Sequence, residues 1–154
     1  MKILFVCTGN TCRSPMAEAI FNYLAQKHKN FPFKAISRGL SVYVEESINP
    51  KADEALKSLG IMNTKHISRQ ISSDDIKTSE LVLTMTQMQK ETLQSYFKES
   101  KYKIATLLEY AADSKTDISD PFGKSQVVYN FCAKDLKDNI TELINRLKED
   151  YEIE

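Results

Sequence analysis

One short stretch near the start of the chain, an apolar run followed by a polar loop and a proline, constrains the fold most strongly. Residues 3–6 read Ile-Leu-Phe-Val, a short apolar run rich in β-formers that is typical of a buried strand. Pro15 favours the first turn of a helix, because the N–H that it lacks has no partner there. Residues 7–14, Cys-Thr-Gly-Asn-Thr-Cys-Arg-Ser, therefore connect the end of a strand to the start of a helix.

This loop has the features of a site for an oxyanion such as phosphate. Successive backbone N–H groups can curl around an anion, and the dipole of the following helix adds partial positive charge. Gly9 permits a backbone conformation that other residues resist. Arg13 offers a planar fork for two phosphate oxygens, and Ser14 can donate a hydrogen bond to the sulfur of Cys7. The cation and the helix N-terminus favour the Cys7 thiolate, so the sequence predicts a nucleophile, with a buried structural cysteine as the alternative.

The loop resembles the signature of the low-molecular-weight protein tyrosine phosphatase family over residues 6–18, Val-Cys-Thr-Gly-Asn-Thr-Cys-Arg-Ser-Pro-Met-Ala-Glu. A second family element, an Asp-Pro pair far downstream, matches Asp120 and Pro121. The resemblance in length and layout covers the whole chain. It implies a metal-independent protein phosphatase without a cofactor, in which Cys7 forms a phosphocysteine and Arg13 neutralises phosphate charge. Asp120 would protonate the leaving atom and then activate water; taken alone, Asp-Pro is an ordinary turn.

The same loop supplies most of the expected substrate contacts. Asn10 is expected to hold the backbone of the loop with its side-chain amide. Cys12 either fills space or, as the resemblance suggests, forms a reversible disulfide with Cys7 that shields it from further oxidation. The predicted substrate-binding residues are Thr8, Gly9, Asn10, Thr11, Cys12, Arg13, Ser14 and Phe122.

Thr11 indicates which phosphorylated side chain enters the site. Family members that act on phosphotyrosine usually carry a bulkier aliphatic residue here, whereas the bacterial protein arginine phosphatases of the family carry threonine. A threonine hydroxyl can accept a hydrogen bond from the N–H groups of a phosphoguanidinium. Phe122 and Gly123 stand where many tyrosine-specific relatives have two tyrosines, so one aromatic wall is missing. We expect phosphoarginine as the substrate, with phosphotyrosine as the alternative.

Three other functional classes have weaker support. Arsenate reductases share the fold but relay electrons through further cysteines, and Cys132 is the only cysteine outside the loop. A phosphocysteine carrier in sugar transport would need neither Arg13 nor Asp120. A noncatalytic phosphate-binding module would bind a phosphopeptide without releasing phosphate, and the intact set of Cys7, Arg13 and Asp120 argues against it.

Composition limits the partners. The 154 residues suffice for one domain, 1–154, and 21 Lys and Arg balance 21 Asp and Glu, so nothing favours nucleic-acid binding. No run of about 18 apolar residues predicts a membrane span, and the start of the chain has no signal-peptide pattern. Three cysteines without C-x-x-C spacing, and two histidines without ligand spacing, argue against a disulfide framework and a metal site. We expect a cytoplasmic monomer that acts on phosphorylated proteins and releases inorganic phosphate.

Apolar patterns predict an α/β chain. Strands are predicted near residues 3–6, 33–39, 81–85 and 103–107, helices over residues 13–29, 51–59, 86–97 and 125–148, a short helical turn after Ser72, and a loop over residues 108–119. This alternation predicts a single three-layer domain, a four-stranded parallel sheet with helices on both faces, as in the Rossmann-like phosphatase fold. Ligands bind at the carboxyl ends of such strands, where Cys7 lies.

Several side chains outside the loop have expected places in this fold. Arg38 either adds positive potential at the mouth of the site or is a solvated turn residue. His66 is expected to be a structural hydrogen-bonding residue, and Cys132 a buried spectator. The last helix is expected to pack on the core through an apolar stripe made of Val128, Phe131, Leu136, Ile140, Leu143, Ile144 and Leu147.

Overall fold

The computed structural model describes residues 1–62 and 65–154, in which strands and helices alternate. The strands are β1 (Lys2–Cys7), β2 (Lys34–Gly39), β3 (Leu81–Thr84) and β4 (Ile104–Thr106). The helices are α1 (Arg13–Ala25), α2 (Pro50–Ser58), α3 (Ser73–Thr78), α4 (Gln87–Tyr96), α5 (Leu107–Ala112) and α6 (Gln126–Asp150), with a 3₁₀ helix at Lys98–Lys103. Over the described ranges, no helix has both the length and the apolar character that a membrane crossing requires.

The four strands form one parallel sheet in the order β2-β1-β3-β4. The first strand is therefore central, and its last residues lie between the ends of two neighbours. Cys7 pairs with Gly39 of β2, and Val6 pairs with Thr84 of β3. The carboxyl ends of three strands thus meet around the loop that follows Cys7, which is where ligands bind in sheets of this kind.

Alternate residues of β1 point into two separate cores. Ile3 and Phe5 lie in the larger core, with buried residues of α1, α2, α5 and α6. Leu4 and Val6 lie in the smaller core, which contains residues of α3 and α4. Both faces of the sheet are covered because side chains alternate along a strand. The predicted three-layer α/β fold is confirmed.

Local signals set the helix boundaries that the sequence predicts. Ser72 and Thr86 each form a capping box at the start of a helix, with Asp75 and Gln89 as the returning side chains. Gly60, at φ +80°, ends the helix that begins at Pro50, and its N–H bonds the carbonyl of Lys57. A glycine suits this position because a side chain would strain the left-handed backbone.

Other sequence expectations are wrong. Residues 108–112 are helical rather than part of a loop, because Thr106 and Glu109 form a third capping box and Leu108 and Ala111 are buried beneath it. The apolar stripe of the last helix also begins later than expected. Val128 is 36% exposed and Phe131 is 68% exposed. The first turns of that helix extend past the core. The residues there that pack on the core are Tyr129, Cys132 and Ala133. The first helix ends at Ala25, four residues before the expected end.

Candidate active site

A hollow of about 250 Å³ opens at the carboxyl end of the first strand. Its walls are formed by Cys7, Thr8, Gly9, Asn10, Thr11, Cys12, Arg13, Asp120 and Phe122. The structure therefore brings together all three residues predicted to be catalytic, and every predicted substrate-binding residue except Ser14. Ser14 is fully buried and contacts the sulfur of Cys7.

Two hydrogen-bond donors are directed at the sulfur of Cys7. The backbone N–H of Asn10 lies 3.3 Å from Sγ, and the hydroxyl of Ser14 lies 2.9 Å from it. The side-chain amide of Asn10 donates to Ser14 Oγ at 2.8 Å, so the serine accepts there and its own proton is left for the sulfur. This arrangement suits a nucleophile whose thiol is only 4% exposed.

The carbonyl groups of the loop are bonded on its outer side. The carbonyls of Cys7, Thr8, Thr11 and Cys12 accept from the N–H groups of Leu40, Ser41, Asn49 and Met16 at 3.0–3.1 Å, and that of Asn10 lies 2.7 Å from Nε2 of His66. Because a backbone carbonyl cannot donate, Nε2 of His66 carries the proton, which confirms the expected structural role of this histidine. Burial lowers the pKa of His66, because it disfavours the charged ring. These bonds tie the backbone of the loop to the segments around it.

Asn10 gives the loop its shape, in a different way from the one expected. Its φ is +57°, whereas Gly9 does not adopt a left-handed conformation, so the expectation for Gly9 is wrong. Asparagine tolerates this region because its short polar side chain can bond locally. The amide also does not hold the loop backbone. It donates to Ser14 and to Ser37 Oγ at 3.0 Å, and accepts from the N–H of Arg69 at 3.0 Å.

Gly39 allows the loop to sit directly on the end of the second strand. A Cβ atom at this position would lie 2.9 Å from the carbonyl oxygen of Thr8, 3.0 Å from Cβ of Asn10 and 2.5 Å from Cγ2 of Val42. The backbone oxygen cannot move aside without breaking its bond to Ser41. Only glycine fits this close approach.

Arg13 is held in place by a backbone carbonyl that was not predicted from the sequence. Its Nη1 donates to the carbonyl of Ile118 at 2.8 Å, and its Nη2 lies 3.6 Å from Oδ2 of Asp120. Ile118 is itself fixed to the end of the third strand, since its N–H donates to the carbonyl of Met85 at 2.9 Å. The guanidinium is buried and its remaining N–H groups are available to a ligand. No sequence signal identifies this carbonyl, because every residue type has one.

Asp120 lies at the mouth of the hollow and is 57% exposed. Its Oδ1 accepts from the N–H of Phe122 at 3.1 Å, while Pro121 and Lys124 close a turn through a bond of 2.9 Å. Gly123 has φ +77° in this turn, so a larger residue there would strain the backbone. Phe122, 67% exposed, forms an aromatic rim beside the carboxylate.

Cys7, Cys12 and Cys132 are free thiols. Sγ of Cys12 lies 3.4 Å from the hydroxyl of Tyr129, a contact that the sequence did not suggest, and burial raises the pKa of Cys12. Burial also raises the pKa of Cys132 to about 12, which suits an inert core thiol. Arg38 forms an ion pair with Asp75 at 3.1 Å and does not line the hollow, so neither expectation for it holds.

The arrangement suits attack on a tetrahedral oxyanion. The Cys7 sulfur lies in a hollow that is lined by the loop after the first strand and by the buried Arg13, and a carboxylate stands at the opening. Phosphoryl transfer depends mainly on this kind of positioning and charge neutralisation. Within residues 1–62 and 65–154, no cluster of three or more His, Cys, Asp or Glu side chains could hold a metal ion.

Comparisons with known proteins agree with this geometry. Residues 2–153 match the family described as low molecular weight phosphotyrosine protein phosphatase. A protein-arginine-phosphatase of Bacillus subtilis is 37% identical over 150 residues, 97% of this chain and 99% of that protein. The low molecular weight protein-tyrosine-phosphatase PtpB of Staphylococcus aureus is 32% identical over 143 residues, 93% of this chain and 96% of that protein.

A solved structure of a mutant YwlE arginine phosphatase with a phosphorylated active-site serine is also similar. It is 35% identical, the alignment covers 100% of both chains, and the TM-score is 0.93.

Proposed function

The chain belongs to the low-molecular-weight phosphotyrosine protein phosphatase family, and from this premise we propose that it removes phosphate from arginine side chains of proteins. The observation that carries the proposal is the hollow in which the Cys7 sulfur, the Arg13 guanidinium, Thr11 and the Asp120 carboxylate meet. One phosphatase domain spanning residues 1–154 performs the reaction, and inorganic phosphate leaves as the product.

In the first step, the Cys7 thiolate attacks phosphorus. An S–P bond forms while the P–N bond to the substrate guanidinium breaks, and Asp120 gives its proton to the departing nitrogen. The loop N–H groups and Arg13 neutralise the charge on the three oxygens of the phosphoryl group. The bond from Arg13 to Ile118 supports this role, because it fixes the guanidinium before the substrate arrives.

In the second step, water hydrolyses the phosphocysteine. The Asp120 carboxylate takes a proton from water, whose oxygen bonds to phosphorus as the S–P bond breaks. Inorganic phosphate and the Cys7 thiolate are released, and Asp120 is protonated again. The exposure of Asp120 supports this step, since water must reach the carboxylate at the mouth of the hollow.

Thr11 and Asp120 support arginine as the substrate side chain. A phosphoguanidinium carries N–H groups that need acceptors, and a threonine hydroxyl and a carboxylate both line the hollow. Thr11 is held in place because its carbonyl accepts from the N–H of Asn49 at 3.0 Å. A site that satisfies polar groups of the substrate can strongly reject an analogue that lacks them.

Phosphotyrosine is the second candidate substrate. The exposed ring of Phe122 at the rim of the hollow could stack on a phenyl group, and the similar protein PtpB is named a protein-tyrosine-phosphatase. This candidate shares Cys7, Arg13 and Asp120 with the first, so only the substrate separates the two.

The test is phosphate release from two matched peptides that carry phosphoarginine or phosphotyrosine at the same position. We expect kcat/KM to favour phosphoarginine by about tenfold or more. The control is Cys7→Ala, because the phosphorylated serine in the YwlE mutant shows that a serine in such a site is not inert. Preference for phosphotyrosine would favour the second candidate, and release from neither peptide would refute phosphatase activity.

Thr11→Ile tests whether Thr11 determines the preference for phosphoarginine. Loss of the hydroxyl should lower the ratio of phosphoarginine to phosphotyrosine kcat/KM by about ten- to a hundredfold, because substrate N–H groups would lose an acceptor. Thr11→Ser is the matched control, since it keeps the hydroxyl and should keep most of the ratio. An unchanged ratio in Thr11→Ile would show that this residue does not select the substrate.

A further inference from the structure

A second, larger depression of about 650 Å³ lies beside the hollow; we refer to it as the α4 groove. It runs between helix α4 and the segments around residues 40–41 and 70–71. Its lining includes Thr8, Leu40, Ile71, Met88, Leu93 and Tyr96. Thr8 also lines the hollow, so one side chain separates the groove from the phosphate site.

The groove is uncharged, and its lining combines apolar side chains with those of Thr, Ser and Gln. Charged residues make up 27% of the chain, yet among the residues described none that lines the groove is Asp, Glu, Lys, Arg or His. Leu93 forms a fully buried floor, while Met88 is 77% exposed and Tyr96 is 75% exposed. A phosphate or a charged side chain would find no partner of opposite charge here, whereas an apolar side chain would be removed from water against Leu40, Ile71 and Leu93.

Hydrogen bonds hold the walls of the groove in place. Gln89 donates to Oγ1 of Thr8 at 3.1 Å, and its own oxygen accepts from the N–H groups of Met85 and Thr86, so the shared wall is tied to α4. On the other side, Gln70 bonds both the carbonyl of Leu40 and the N–H of residue 42, each at 2.8 Å. The groove and the hollow are therefore set at a fixed separation.

We propose that the α4 groove binds an apolar side chain of the substrate polypeptide, a few residues from the phosphorylated one. The inference rests on the proposed function, because a phosphorylated protein that enters the hollow must continue past its rim. Because Thr8 lines both, the groove adjoins the substrate site. Since the separation is fixed, the preference falls on one sequence position, or on two adjacent ones, relative to the phosphorylated residue.

The test is a leucine scan of phosphoarginine peptides, in which one leucine moves along an otherwise glycine and serine sequence. Leucine at the matching position should raise kcat/KM about five- to tenfold over alanine there, and leucine elsewhere should have little effect. Free phosphoarginine has no flanking residues, so its kcat/KM reports catalysis in the hollow without any contribution from the groove.

Two groove variants assign the effect to the site. Met88→Ser removes apolar surface from one wall, and Thr92→Arg fills the groove with a charged side chain. Both should abolish most of the leucine effect and leave the hydrolysis of free phosphoarginine unchanged. Tyr102→Ser is the matched control, because this tyrosine is 86% exposed and does not line the groove.

Failure of this inference can be told apart from failure of the proposed function. Equal rates for all leucine positions, or a leucine effect that survives both groove variants, would overturn the inference while phosphoarginine hydrolysis continued. If only phosphotyrosine peptides were hydrolysed, the same scan in that series would test the groove independently. A dimer in sedimentation that Thr92→Arg dissociates would instead identify the groove as an interface between copies, and would also overturn the inference.

Discussion

Replacing Asn10 tests the structural basis of the site, because this side chain is fully buried and bonds three different groups. Its amide donates to Ser14 and Ser37 and accepts from the backbone N–H of Arg69. Losing three such bonds costs about 3 kcal/mol of unfolding free energy at about 1 kcal/mol each. Alanine in a left-handed conformation adds about 1 kcal/mol. We therefore expect Asn10→Ala to lower the free energy of unfolding by about 4 kcal/mol.

Asn10→Gly is the matched variant, since glycine adopts φ +57° without strain but makes none of the three bonds. It should be about 1 kcal/mol more stable than Asn10→Ala. Because the chain has no tryptophan, urea unfolding is best followed by far-ultraviolet circular dichroism. Both variants should lose activity to a similar extent, since Ser14 loses the donor that orients its hydroxyl toward Cys7.

Two results would refute this reasoning. A loss below about 1 kcal/mol in Asn10→Gly would mean that the three bonds contribute little to stability. Equal stability of the alanine and glycine variants would mean that the left-handed backbone at Asn10 carries no strain for alanine.

Three further predictions concern the surroundings of the loop. Gly39→Ala should lower both stability and kcat/KM, because its Cβ would press on the Thr8 carbonyl; unaltered kinetics would contradict this close approach. Since burial lowers the pKa of His66 in the folded state, the unfolded state binds a proton more readily below about pH 6.5, and stability should fall as pH drops through that value. Urea midpoints of His66→Gln measured between about pH 7 and 5 should show a smaller fall, and an equal fall would refute the assignment. Wild-type protein treated with peroxide should regain activity with thiol while Cys12→Ser regains much less; equal recovery would exclude a protective disulfide with Cys7.

Local signals made the architecture predictable. The apolar run before Cys7, Pro15 after the loop and the cap at Thr86 act within a few residues, so the sequence shows them directly. The helix at Leu107–Ala112 carries the same kind of capping signal at Thr106, but its shortness and the acidic residues of segment 108–119 favoured a loop interpretation. The apolar stripe predicted for the last helix leaves the core at Phe131. The position of this boundary depends on neighbours that are distant in sequence.

The fine geometry of the site could not be predicted from local patterns. The carbonyl of Ile118 that holds Arg13 lies 105 residues away in sequence, and backbone groups carry no residue-type signal. The contact between Cys12 and Tyr129 spans 117 residues. The sequence interpretation placed the unusual backbone conformation at Gly9, whereas it lies at Asn10, whose amide gains three hydrogen-bond partners there.

The proposed reaction depends on covalent phosphorylation of the Cys7 sulfur in the hollow. The most direct measurement is rapid acid quenching of wild-type protein during turnover of a phosphoarginine peptide, followed by mass spectrometry of the peptide that contains Cys7. We predict a gain of one phosphoryl group on Cys7, and none in Cys7→Ala. Continued turnover in Cys7→Ala, or a phosphoryl group found only on another residue, would contradict the account.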